Sequence, residues 1–274
     1  MTIDQAQHAD THGMHLLFAL GKRPTRAAIG AFVRDTALVQ IAHDPFASSP
    51  ILVDTDGADR DKFATNISAS TKGVQWIELL REGLTFDLLG FAPGPSSKIP
   101  QIIHKFDLEI VPDPQHFEAL SLNVGGHLIG AHASLPVAKC MMALAREMIR
   151  HFKELQAVVW APSRSAIGRR FFESSITAWL EGGPFPALGL TVFTEAPDGA
   201  LQTEGLAFWI GQELRIEQSL ATDKVYATRL GVRIINQLIL VGGLDAAERM
   251  MAPDGTQLFM RPSPNRRFIR VSRE

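Results

Sequence analysis

The chain has 274 residues, 46% of them hydrophobic and 20% charged, with a formal net charge of −2 and one cysteine, Cys140. A chain of this size can remove roughly three quarters of its unfolded surface from water, so the fold needs no disulfide or metal. The single cysteine excludes an intrachain disulfide framework and fits a reducing compartment, and the near-zero charge excludes a general attraction to nucleic acid or anionic membrane.

Residues 1–13 are polar and contain no Lys or Arg, so they read as a flexible tail without signal-peptide character. His8, His12 and His15 lie close together there, but no Cys or carboxylate is held rigidly beside them, so no metal set is assigned. An N-terminal α+β half over 14–112 follows. Met14 to Leu20 reads as a buried strand, and Pro24-Thr25 introduces a helix with Phe32 and Val33 on its inner side. Leu38 to Ala42 and Ile51 to Val53 are short strand candidates. Val74, Trp76 and Leu79 precede a period-two run of Leu84, Phe86 and Leu88, Ala92 to Pro100 is a loop, and Ile102 to Val111 is strand-like. Pro112-Asp113-Pro114 ends that run and marks the boundary to a second α+β half over 113–274, with one continuous domain as the open alternative.

In the second half Leu120, Leu122 and Val124 alternate with Ser121 and Asn123. Gly125-Gly126 reads as a tight hairpin turn returning along His127 to Ala133. A helix follows with Val137, Met141, Leu144, Met148 and Phe152 on one stripe. Cys140, beside that stripe with no base near it, reads as a packed, inert thiol. Next come an apolar strand at Ala157 to Trp160, a helix from Ser163 to about Leu180, and strands at Ala187 to Phe193 and Thr203 to Glu217 with a bulge at Gly211. Pro197-Asp198-Gly199 is strong turn chemistry. A helix from Asp223 to Val241, with Val225, Leu230, Ile234, Leu238 and Val241 as its buried stripe, and a hairpin of Gln257 to Met260 with Phe268 to Val271 complete the chain. The pentapeptide at Glu82 to Phe86 echoes that at Glu204 to Phe208, which leaves open whether the two halves are similar by duplication.

Thr203-Glu204-Gly205-Leu206, followed by Gly211-Gln212-Glu213-Leu214, with Ala157-Val158-Val159-Trp160 upstream, resembles a bacterial domain family of unknown function. That family has a T-x-G-L strand and a nearby G-x-E-hydrophobic pattern. The resemblance covers residues 157–241 and implies no catalytic residue.

Two chemical candidates stand out. A strand running into a helix start at Pro162-Ser163-Arg164-Ser165 would present free N–H groups to an anion, with Ser163, Arg164 and Ser165 as the cradle and Glu213 as an acid or base. No glycine-rich phosphate loop, zinc motif or nucleophile elbow accompanies it. Arg261, Arg266, Arg267, Arg270 and Arg273, interleaved with Phe259 and Phe268, could meet an acidic partner, and nucleic acid is disfavoured by the near-neutral chain.

The expected fold is α+β, a mixed, largely antiparallel sheet with helices packed on it and two similar halves as one version of it. The expected function is that of a cytoplasmic, non-enzymatic interaction module with a protein partner, no membrane, no cofactor and no metal; self-association stays open. The rival is an enzyme acting on a phosphorylated or anionic small molecule at the Ser163 helix start.

Overall fold

A computed structural model describes residues 13–45 and 76–274. The expected tail up to residue 12, the Ile51–Val53 strand and Val74 lie outside the described residues. In chain order the described elements are β1 (Met14–Ala19), α1 (Arg26–Asp35), β2 (Val39–His43), β3 (Trp76–Arg81), β4 (Leu84–Leu89), β5 (His104–Phe106), β6 (Phe117–Val124), α2 (Leu135–His151), β7 (Leu155–Trp160) and β8 (Ser165–Gly168). They continue with α3 (Arg169–Leu180), β9 (Val192–Glu195), β10 (Leu201–Glu204), the single turn α4 (Ala207–Ile210), β11 (Glu213–Ile216), α5 (Lys224–Val241), β12 (Glu248–Met251), β13 (Gln257–Pro262) and β14 (Phe268–Arg273). The architecture is α+β, with mixed, largely antiparallel sheets and helices packed on them. The chain divides into two compact units. One gathers Met1–Pro100, Pro112–His132 and Pro136–Val159, and the other Gln101–Val111, Ala133–Leu135 and Trp160–Glu274. Pro112 is thus one of several points at which the chain passes from one unit to the other.

In the first unit the strands lie in the order β2-β3-β4-β6-β1-β7. Leu16 pairs with Leu120 and Met14 with Leu122 across β1 and β6, while Leu88 of β4 faces Leu122. Opposite residues share a sheet face, so these apolar positions make one continuous layer, fully buried together with Phe18, Leu79 and Phe86. Each such side chain contributes about 1.5–3 kcal/mol. α1 and α2 supply the opposing surface: Phe32 of α1 and Phe152 just beyond α2 meet with ring centroids 5.8 Å apart, and Phe152 meets Phe18 of β1 at 6.3 Å. Thr25 caps α1 by accepting from the Ala28 N–H at 3.3 Å, as Pro24-Thr25 suggested. Cys140 is buried, and burial pushes its thiol up to about 11.

Gly125-Gly126 does not turn a hairpin, and His127 to Ala133 is not a strand: Gly126–Ala131 forms a 3-10 turn. Gly125 sits at φ −58°, and a Cβ there would lie 2.2 Å from the Thr85 Oγ1. It therefore serves close approach to β4, where its N–H donates to the Thr85 carbonyl at 2.8 Å. The left-handed hairpin turn is at Glu82 (φ 52°) and Gly83 (φ 78°), between β3 and β4. The pentapeptide echo therefore takes two structures, a hairpin turn at Glu82 and a strand end entering α4 at Glu204.

In the second unit β5 and β8 pair in parallel, and six further strands lie in the order β12-β13-β14-β11-β10-β9. In that six-stranded sheet β11 and β14 run parallel, and the other neighbouring strands are antiparallel. α5 begins where Asp223 accepts from the N–H groups of Val225 and Tyr226 at 2.9 and 3.0 Å, and it ends at the left-handed Gly242. Its buried stripe (Ala227, Leu230, Gly231, Ile234, Leu238) covers one sheet face. Gly231 is required there, because a Cβ would lie 2.5 Å from the Phe193 ring.

Of the strand expected from Ile102 to Val111 only His104–Phe106 forms, and three further strand or helix expectations fail in this unit. The helix does not start at Ser163: Ala161–Ser163 is a 3-10 turn, Ser165 opens β8, and α3 begins at Arg169. Ala187 to Leu190 is a tight turn with Gly189 at φ 100°, so only Val192 onward is strand. Thr203 to Glu217 is broken by α4, whose end is the left-handed Gly211, so that glycine caps a turn instead of marking a bulge. The physical reason is shared. Alternation and helical spacing both accommodate a run of small and apolar residues, and short polar side chains settle the choice by finding backbone partners far along the chain.

Candidate functional site

Arg164 occupies the left-handed region at φ 49° between the 3-10 turn and β8. This kink sends the side chains of Ser163 and Ser165 to the same side, inward, and both residues are fully buried. Their hydroxyl oxygens are 2.8 Å apart, and both lie within reach of the Gly189 carbonyl, at 3.0 Å from Ser163 and 2.5 Å from Ser165. The serines therefore bind one another and the backbone of the Ala187–Leu190 turn. The helix that was to offer free N–H groups starts only at Arg169, with Gly168 as its N-cap. A Cβ there would lie 2.3 Å from the Asp107 carbonyl oxygen, so that N-cap is crowded by the chain itself.

Arg164 turns outward and forks on Glu204: its Nη2 donates to Glu204 Oε2 at 2.8 Å, and its Nε to Oε1. Hydrogen bonding to Glu204 raises the affinity of this guanidinium for its proton. His104 Nε2 lies 3.6 Å from the same carboxylate. The three side chains are 43%, 26% and 23% exposed, so the Arg164–Glu204 pair is a partly solvated ion pair of modest strength.

Glu213 at the start of β11 reaches back to the end of β10. Its carboxylate accepts from the Thr203 hydroxyl at 2.6 Å and from the backbone N–H groups of Gly205, Ala207 and Leu206 at 2.9, 3.1 and 3.2 Å. Those N–H groups are the otherwise orphaned donors at the start of α4. Burial pushes the Glu213 carboxyl above the ordinary range, while the four donors pull it back. Gly205 links the two arrangements. At φ 94°, with a Cβ position 2.7 Å from Ser163 Cβ and 3.0 Å from the Leu190 carbonyl, only glycine fits.

All four predicted residues thus come into one neighbourhood around Gly205, although Ser163 and Glu213 are 50 positions apart. Sequence reasoning missed Glu204, His104 and the Gly189 carbonyl, which are the actual partners. The only available signal was Glu204 inside the T-x-G-L run. In place of an oxyanion or phosphate cradle, Ser163, Arg164, Ser165 and Glu213 each bind polar atoms of the surrounding chain, while His104 Nε2 makes no hydrogen bond among the described residues. Beneath it, Trp160 is fully buried and packs edge-on against Phe208 at 4.9 Å, and Trp209 meets Trp160, Trp179 and Phe185 at 5.8, 6.0 and 5.0 Å. The turn that Glu213 caps therefore carries two rings into the aromatic core of its unit.

The arginines near the C-terminus separate. Arg261 and Arg270 are directly opposite on β13 and β14, with Arg215 next to Arg270 on β11, so these three share the sheet face away from α5. Glu217 binds Arg270 at 2.5 Å, and Arg215 is held by Asp198. Arg273 is in register with the fully buried Leu258 and belongs to the other face. No continuous basic platform results.

In the first unit Asp87 of β4 stands opposite Glu78 of β3 and Asn123 of β6. Burial, and then the Glu78 charge, push its carboxyl up to about 6. No group of three or more His, Cys, Asp or Glu among the described residues could hold a metal ion, and none of the described helices is long and apolar enough to cross a membrane. No family model, no curated protein and no solved structure matches the chain.

Proposed function

We propose that this chain is a non-enzymatic interaction module of the bacterial cytoplasm whose partner is another protein. One observation carries the reading. The residues with chemical potential around Gly205 are engaged with one another, Arg164 with Glu204, Ser163 and Ser165 with the Gly189 carbonyl, and Glu213 with four donors. A catalytic or anion-binding group needs a donor or acceptor left free for its substrate. The buried, unactivated thiol of Cys140 accords with a reducing compartment.

The test is a calorimetric and thermal-shift titration of the full chain with phosphate, nucleotides and sugar phosphates at low salt. The module reading expects no saturable response. A saturable shift that disappears in Arg164→Ala would overturn it and establish an enzyme or receptor for an anionic small molecule.

A further inference from the structure

α5 has a second stripe, opposite the one that packs on the sheet. At about 100° per residue, Val225, Arg229, Arg233 and Leu240 fall within roughly 80° of one another around the helix axis. Val225 is 60% exposed and Leu240 82%, with Val241 beside it at 66%; Arg229 and Arg233 are exposed as well. These are among the most exposed large apolar side chains described. The two arginines stand one helical turn apart, where like charges repel. No Asp or Glu occurs between Lys224 and Val241 to relieve them, and neither arginine has an ion pair among the described residues. Arg164, Arg215, Arg249 and Arg270 of the same unit each have a carboxylate partner. Tyr226, next to Val225 in the chain, donates its hydroxyl proton to Asp254 at 3.0 Å.

We propose that this face of α5 docks an acidic, amphipathic segment of another protein. The inference rests on the interaction-module reading and names the chemistry of the partner. The complement of the stripe is two carboxylates one turn apart, each met by a guanidinium fork. An apolar residue about 10 Å further along, seven residues from Arg233 at 1.5 Å each, covers Leu240 and Val241. Nucleic acid fits less well, because the stripe has no aromatic ring on which a base could stack and the whole chain carries a net charge of −2.

The experiment titrates the full chain into two fluorescein-labelled amphipathic helical peptides that share one leucine pattern, one bearing Glu pairs at i,i+4 and the other Lys pairs. Anisotropy should report binding of the acidic peptide alone, weakened by salt. The double variant Arg229→Glu/Arg233→Glu should weaken it at least about tenfold, and Leu240→Ser should weaken it on the wild-type charge background. Arg261→Glu, on a different face, should leave it unchanged. All these positions are exposed, so circular-dichroism melts should match wild type; Arg233→Gln replaces the double variant if it fails to fold. Equal binding of the charge-reversed chain, equal binding of the Lys peptide, or no binding of the acidic peptide overturns the assignment. So does tighter binding of oligo(dT) with the same charge sensitivity. These outcomes are separate from the small-molecule titration: a silent small-molecule panel with no peptide binding removes the α5 site alone, whereas a saturable small-molecule response removes the module reading.

Discussion

Replacing Glu213 removes one carboxylate from four donors at once. In Glu213→Ala the N–H groups of Gly205, Leu206 and Ala207 and the Thr203 hydroxyl lose their acceptor, and the Thr203 oxygen is itself held by the Leu214 N–H at 2.7 Å. A hydrogen bond to a charged group contributes about 1.5–3 kcal/mol. The four share one carboxylate, its desolvation opposes them, and water can reach the exposed Ala207, so the sum is far below additive. A loss of about 3–4 kcal/mol is expected, within the range for breaking a buried network. Glu213→Gln keeps the shape but must aim its NH2 at either the Gly205 and Ala207 pair or the Thr203 and Leu206 pair. The Thr203 hydroxyl can rotate, while a backbone N–H cannot. The amide should therefore place its NH2 towards Thr203 and Leu206 and lose about 1–3 kcal/mol. Urea melts measure both, and near-UV circular dichroism should register loosening of Trp209 and Trp160 in Glu213→Ala. If both variants fall within about 0.5 kcal/mol of wild type, the carboxylate is not the cap of α4 and the reasoning fails.

Gly205→Ala places a Cβ 2.7 Å from Ser163 Cβ at a φ of 94°, so backbone strain and overpacking together should cost about 2–5 kcal/mol; a chemical melt with an unchanged midpoint would refute the close approach. Asp87 is raised from 3.8 to about 6 by burial and Glu78. Its contribution to stability is full below the unfolded pKa and falls as pH rises through about 6, because the unfolded chain releases the proton first. Asp87→Asn should therefore gain on wild type with rising pH, by about 1–2 kcal/mol near pH 7 after solvent screening, and a gap that stays constant in melts across that range would contradict the assignment.

Much of the framework was legible because the signals were local. Asp223 and the helical spacing of Leu230, Ile234 and Leu238 determined α5, since a side-chain cap and a 3.6-residue period both act within a few turns, but Val225 and Val241, expected on the same buried stripe, are exposed. Alternation placed β4 and β6, where Phe86, Leu88, Leu120 and Leu122 form one buried layer. The Ala196 to Gly199 turn was written in its own residues, with Gly199 at φ 79° and its N–H on the Ala196 carbonyl. Ser163, Arg164, Ser165 and Glu213 were likewise recognised as residues with potential. What they do was decided by partners that no local pattern announces: the Gly189 carbonyl 26 residues from Ser163, Glu204 40 residues from Arg164, and the N–H groups exposed only because the chain breaks into α4. A buried polar group is satisfied by whichever donor or acceptor the tertiary fold brings within about 3 Å. A period-two or period-3.6 pattern states which way a side chain points along its own element, but not what will be waiting there.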